Sequence, residues 1–210
     1  MNLEIVKRLE KPRIPIILLD RCLMSYPDRC RHDLVGIDNR RAGFMATEHL
    51  LKLGAQRLSF LAYSGGAPTI DARLAGFRGA IVANDVPLDH GSIYRLDAIT
   101  PSTIRPLLTK NKRRDAFVCA NDRTAGHLMQ VLQTLGYRIP QDVRIVGIDD
   151  VEYASLLPVP LTTVRQPCRE IGEAAMAAMC DRIANPKMLI RDILVECHLV
   201  VRQSCGAQGN

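Results

Sequence analysis

The stretch Ala116-Phe-Val-Cys-Ala-Asn-Asp122, continuing through Arg123 to Gly136 and closing with Val143-Arg-Ile-Val-Gly-Ile-Asp-Asp150, decides the fold. Ala116 to Ala120 is an unbroken apolar run, the pattern of a strand buried on both faces. Asn121-Asp122 is a double N-cap candidate for the helix that follows. Ala125, Leu128, Met129, Leu132 and Leu135 recur there at helical spacing, and Gly136 stands where helices end. Val143 to Ile148 is a second buried strand, with Asp149-Asp150 at its C-terminal end.

The same rhythm extends in both directions. Upstream, Pro15 to Asp20 and Leu34 to Asp38 are short aliphatic runs ending in an acid. Asp38-Asn39 offers caps for a helix from about Arg40 to Leu53, closed by Gly54. A strand over 57–62, a Ser64-Gly-Gly66 loop, a helix over 69–83 and a strand over 92–96 follow. Pro101 opens another helix in the position proline tolerates best. Downstream, Pro158 and Pro160 lead into a strand over 161–164, a helix over 169–184 and a final strand over 193–201. Alternating strands and helices with short connections predict an α/β fold with a mostly parallel sheet covered on both faces. Ligands of such sheets bind beyond the carboxyl ends of the strands. That rule selects Asp20, Ser64, Asn121 and Asp149.

Composition narrows the classes. The 210 residues are 47% apolar and 24% charged, which excludes disorder and collagen-like repeats. The longest aliphatic run is broken by Pro15 and ends at Asp20, far short of the roughly 20 apolar residues a membrane span needs. The first ten residues mix acids with bases and contain no apolar signal-peptide core. Seven unevenly spaced cysteines suit reduced thiols and a cytoplasmic location. The net charge of +6 raises nucleic acid as a partner, but the basic residues are scattered. With no Trp, four Phe and five Tyr, a stacking platform for single strands lacks material.

Catalytic signatures are missing. No glycine-rich phosphate loop follows a strand, so a dinucleotide cofactor is not expected. Cys22, Cys30 and His32, or Cys197 and His198, lack metal-ligand spacing, and no metal is expected. No G-x-S-x-G elbow accompanies His49 or His127, which lie in predicted helices. Asp20 and Asp149 could act as acid and base, or as caps and turn residues. The third reading is that they accept hydrogen bonds from ligand hydroxyls while Arg73 donates to the same ligand, since charged acceptors and a planar guanidinium recognise a polyol directionally. Their convergence on one rim favours this last reading. Arg73→Ala or Asp149→Ala is then expected to abolish binding and leave the fold largely intact.

Val35-Gly-Ile-Asp-Asn39, Ala42-Gly43 and His49-Leu-Leu-x-Leu-Gly54 resemble the LacI/GalR (lactose-repressor-like) family of transcriptional regulators. Arg73-Leu-Ala-Gly-Phe77 resembles its R-x-x-G-F signature. Ala120-Asn-Asp122, Gly136 to Val143, Val146 to Asp150, Pro160 to Val164, Gln166-Pro167, Ile171-Gly172 and Leu199 to Ser204 follow in the expected order. The resemblance implies a periplasmic-binding-protein-like fold of two parallel-sheet subdomains joined by three crossovers. A small effector, a sugar or related metabolite, would sit in the cleft. The N-terminal subdomain would comprise 1–37 and 165–196 and be incomplete. The C-terminal subdomain would comprise 38–164 and 197–210. Effector contacts carry over to Asp20, Arg73, Asn121, Asp149 and Gln166. Cys168 joins them at a position where some members carry an aromatic. The resemblance further implies a homodimer, or a tetramer, with Gly126, Leu156 and Leu157 at the dimer surface, although a purely core role for the leucines stands equally open. It implies a repressor reaching operator DNA only through a helix-turn-helix headpiece that these 210 residues do not contain, so the parent protein would be longer. It implies no enzyme activity and no membrane partner. The alternative is a stand-alone periplasmic-type sugar-binding protein.

Overall fold

Because the strands over 58–63, 116–119 and 144–149 carry apolar side chains on both faces, helices must cover the sheet on both sides, and the chain folds accordingly. The computed structural model describes residues 14–22, 24, 27–28, 31–87, 90–109 and 115–207. Among them the elements run β1 (Ile17–Leu19), β2 (Asp33–Ile37), α1 (Asn39–Lys52), β3 (Leu58–Tyr63), α2 (Pro68–Ala83), β4 (Ile93–Leu96), α3 (Pro101–Thr109), β5 (Ala116–Cys119), α4 (Asp122–Thr134), β6 (Arg144–Asp149), β7 (Thr162–Arg165), α5 (Cys168–Ala184), β8 (Asp192–Val195) and β9 (His198–Val200). Single 3-10 turns occupy His90–Ser92 and Glu152–Ser155.

The chain divides into two compact units. One comprises 1–38, 67–69 and 167–196; the other comprises 39–66, 70–166 and 197–210. The smaller unit holds a sheet of order β1-β2-β8, all parallel, with α5 packed on its strands. Asp33 opens β2 and is fully buried. It accepts hydrogen bonds from Arg182 Nη2 on α5 at 2.6 Å and from the Arg191 backbone N–H just before β8 at 2.8 Å. Burial alone would raise its carboxyl pKa, but the Arg182 and Arg191 guanidiniums outweigh that and hold it below the ordinary value.

The larger unit holds a six-stranded sheet of order β4-β3-β5-β6-β7-β9, parallel except for the β7–β9 pair. Phe117 and Cys119 of β5 pack with Ala125, Leu128, Met129 and Leu132 of α4 and with Ile104 and Leu108 of α3. On β3, Phe60 meets Phe77 of α2 with ring centroids 5.7 Å apart. Helix α1 lies against β5, β6, β7 and β9 and buries Ala42, Ala46 and Leu50. Strand order reverses between β3 and β5, which directs a ligand to the carboxyl ends of those strands.

Two expectations need correction. The apolar run over 193–201 is two strands, not one. β8 pairs parallel with β2 up to Val195, whereas β9 pairs antiparallel with β7 from His198, so the chain changes sheet at Glu196-Cys197. Ser92 belongs to a 3-10 turn, and its strand begins at Ile93. No helix among the described residues is long and apolar enough to cross a membrane.

Candidate functional site

Four of the residues expected to bind a ligand belong to the larger unit, and three of them meet there. Arg73 sits in the second turn of α2 and is only 4% exposed. Its place is set by a close crossing of α1 and α2. A Cβ on Gly43 would overlap the Arg73 backbone carbonyl, and one on Gly76 would overlap the Arg40 carbonyl, so neither helix tolerates a side chain there. From this position the guanidinium forms a fork with four acceptors. Nε donates to Asn39 Oδ1 at 2.7 Å, and Nη1 donates to the Ala120 carbonyl at 2.7 Å. Nη2 lies 3.1 Å from Asp149 Oδ1 and donates to Gln166 Oε1 at 3.3 Å. One side chain thus ties the start of α1 to the carboxyl ends of β5, β6 and β7. Arg73 is thus a buried structural tie as well as a candidate ligand contact, and its removal is expected to cost stability.

Asp149 ends β6 with φ 137°, and Asp150 follows at φ 58°. Two consecutive non-glycine residues at positive φ store strain of the kind that persists only where surrounding bonds over-determine it. Those bonds are present. The Gln166 backbone N–H donates to the Asp149 carbonyl at 3.1 Å. Asp150, its side chain only 4% exposed, pairs with Arg165 Nε at 2.5 Å and Arg202 Nη2 at 2.7 Å. Burial raises the Asp150 carboxyl pKa, and the two guanidiniums more than reverse that, so it is held below the usual value. Asp122, fully buried, accepts from Thr163 Oγ1 at 2.6 Å and from the Val151 backbone N–H at 3.1 Å. Its own pKa is raised, chiefly by burial. Gly147 leaves the space into which the Asp122 carboxylate fits. Asp149 therefore projects from a turn clamped on both sides.

Asn121 fills the N-cap of α4 with extended backbone. Its Oδ1 accepts from the Thr124 N–H at 2.9 Å and the Thr124 hydroxyl at 2.7 Å. Its oxygen serves the helix, and the cap signal in the sequence marked that role. Asp20 and Cys168 belong to the smaller unit. Asp20 follows β1 at φ 65°, half-buried, with its backbone N–H on the Val35 carbonyl at 2.8 Å and Arg21 Nε 3.6 Å from its carboxylate. Cys168 is the first residue of α5 and is exposed. Asn39, Asp122 and the Asp150–Arg165–Arg202 cluster had no site signal in the sequence beyond caps and charge, because their partners lie far along the chain.

The residues expected at a dimer surface also separate. Leu157 packs partly into the core beside α4, with its Cδ2 3.8 Å from where a Cβ on Gly126 would stand. Leu156 is 76% exposed. Gly126, His127, Met129, Tyr153, Leu157 and Pro158 line much of a hollow of about 410 Å³. The His127 ring is held there by the Tyr63 hydroxyl, which bonds its Nδ1. No group of three or more His, Cys, Asp or Glu among the described residues is placed to hold a metal ion.

The chain is similar to known proteins over most of its length. The family model for the periplasmic binding protein-like domain matches residues 47–205. The arabinose metabolism transcriptional repressor of Geobacillus stearothermophilus is 31% identical over 206 residues, covering 93% of this chain and 55% of the repressor. A solved structure described as a transcriptional regulator of the LacI family from Sanguibacter keddieii is 30% identical at a TM-score of 0.78, with 92% of this chain and 74% of that one covered. A LacI family transcriptional regulator from Enterococcus faecium, solved with bound ribose, is 26% identical at a TM-score of 0.82, with 97% and 75% covered. This chain spans 50–61% of the length of eight curated relatives it matches.

Proposed function

Because the chain belongs to the periplasmic binding protein-like domain family, among the LacI-type regulators, we propose that its larger unit carries the effector-recognition rim of a transcriptional repressor. The effector is a neutral, polyhydroxylated small molecule, a sugar or close relative. The observation that carries this reading is the fork of Arg73 on Asp149 and Gln166 at the strand ends. The Arg73 and Asp149 charges offset each other, so a net anion gains little there. A carboxylate and a carboxamide held still are instead good acceptors for hydroxyl groups. The arabinose repressor and the ribose-bound regulator among the relatives point to the same chemistry.

Binding rather than turnover is the proposed activity. An effector would shift a two-state equilibrium only by its differential affinity for the two states, typically about 1–3 kcal/mol of coupling. Operator DNA, a homodimer meeting over α4 and Leu156, and a cytoplasmic setting are parts of the same proposal. They rest on the family and on the exposure of Leu156. Asp20 and Cys168 are proposed contacts on the resemblance alone. The test is a thermal-shift titration with pentoses, hexoses and disaccharides. A saturable rise in melting temperature with at least one of them, lost in Asp149→Asn, supports the reading. A flat response across the panel overturns it.

A further inference from the structure

Arg73 is only as useful as its orientation, and its guanidinium can rotate about the last bonds of a long side chain. Two contacts oppose that rotation from the side away from Asp149 and Gln166: the Ala120 carbonyl on Nη1 and Asn39 Oδ1 on Nε, each at 2.7 Å. The carbonyl is backbone that any sequence would supply. Asn39 is the one side chain among these two anchors, and it is itself buried at 8% exposure. It opens α1, one turn before Gly43, and Gly43 is where the Arg73 backbone presses against that helix. The small residue brings the two helices close enough for a side chain as short as Asn39 to span the gap.

We propose that Asn39 is a positioning residue: its carboxamide oxygen pins Arg73 Nε so that Nη2 holds Asp149 and Gln166 together as acceptors. The consequence for binding rests on the effector reading above; the hold on Arg73 does not. With Nε and Nη1 anchored, the planar fork leaves Nη2 a single placement, in which it serves both strand-end groups. Without Asn39 the guanidinium loses one of its two anchors, and the Asp149 and Gln166 side chains lose their common reference.

The test uses the whole 210-residue chain with ¹⁵N-arginine labelling. The Arg73 Nε–H resonance is assigned by its disappearance in Arg73→Lys. In the wild type this proton is expected to exchange slowly with solvent. In Asn39→Ala the exchange should accelerate about tenfold, the fold-change matching one hydrogen bond to a charged donor. In Asn39→Asp, which keeps an acceptor oxygen, the protection should be retained. Unchanged exchange in a folded Asn39→Ala variant overturns the proposal. If that variant does not fold, loss of protection in Asn39→Asp overturns it, and retention supports it. A second arm titrates D-ribose, L-arabinose, D-glucose and cellobiose. Whichever of these the wild type binds should bind Asn39→Ala about tenfold more weakly and Asn39→Asp within about threefold, if the acceptor on Nε is what matters. Equal affinity in Asn39→Ala alongside faster exchange overturns the positioning role. A wild type that binds none of the four counts against the effector reading, and the exchange arm still decides Asn39.

Discussion

Replacing Arg73 with alanine removes the fork that joins α1 to three strand ends. Three of its contacts are hydrogen bonds to Asn39, Ala120 and Gln166, and the fourth is the ion pair with Asp149. Breaking a fully buried ion pair from one side costs about 3–5 kcal/mol. Asp149 keeps 30% of its side-chain surface in water, so part of that cost is returned by hydration. A net loss of about 3 kcal/mol is therefore expected. For a chain of this size that lowers the melting temperature by about 6–12 °C. Arg73→Lys keeps the charge and loses the planar fork, so it should fall between the two, about 1–2 kcal/mol below wild type. Both are read by far-ultraviolet circular dichroism melts at pH 7, with urea midpoints as an independent scale. An alanine variant that melts within 2 °C of wild type would refute the reasoning, because a buried, four-way-bonded guanidinium cannot then be holding these elements together.

Other consequences are as direct. Gly43→Ala places a methyl group against the Arg73 carbonyl, and backbone cannot yield as a side chain tip can, so a loss of about 1–3 kcal/mol is expected in chemical denaturation. Asp33 gives a pH signature. Its folded pKa lies below the ordinary value, so the unfolded chain takes up its proton first. Stability from this group is complete above the ordinary carboxylate pKa and is lost as pH falls through the lower folded value. Asp33→Asn should therefore lower the melting temperature at pH 7 and flatten its decline on the acid side, measured by melts between pH 7 and pH 3. Leu156→Glu alters a side chain that is 76% exposed, so it should leave stability within about 0.5 kcal/mol. If copies of the chain meet over α4, the same substitution lowers the mass seen by sedimentation.

The fold was largely legible because the central strands β3, β5 and β6 of the larger sheet are buried on both faces. Continuous runs such as Ala116 to Ala120 and Ile145 to Ile148 announce themselves, and Asn121 and Gly136 bracket α4 with ordinary cap chemistry. The break at Glu196-Cys197 was not legible in the residue pattern, which reads 193–201 as one strand, although the family resemblance set a subdomain boundary between 196 and 197. No Gly or Pro interrupts the β-prone residues on either side, and only the pairing partners, β2 for one piece and β7 for the other, separate them. The site was half legible. Polar residues at strand ends follow from the parallel topology, so Asn121 and Asp149 could be named in advance. The local role of Asn121 was legible as a helix cap, whereas that of Asp149 was not. The engagement of Arg73 depends on Asn39 and Ala120, which lie 34 and 47 residues away in sequence. Periodicity carries no information about such contacts, and the close crossing at Gly43 and Gly76 that creates them is equally silent in a single chain. Leu156 and Leu157 show the same limit: adjacent and chemically identical, they part because one packs on the core cluster and the other does not.

Calorimetric titration of wild type and Asp149→Asn with D-ribose and L-arabinose, followed by the other aldoses, asks most simply whether the strand-end rim grips a hydroxylated molecule. Saturable heat with at least one sugar in the wild type, and its loss in a variant whose melting curve stays cooperative, is the expected result. Undiminished binding in Asp149→Asn, or no heat from any sugar with the wild type, would contradict it.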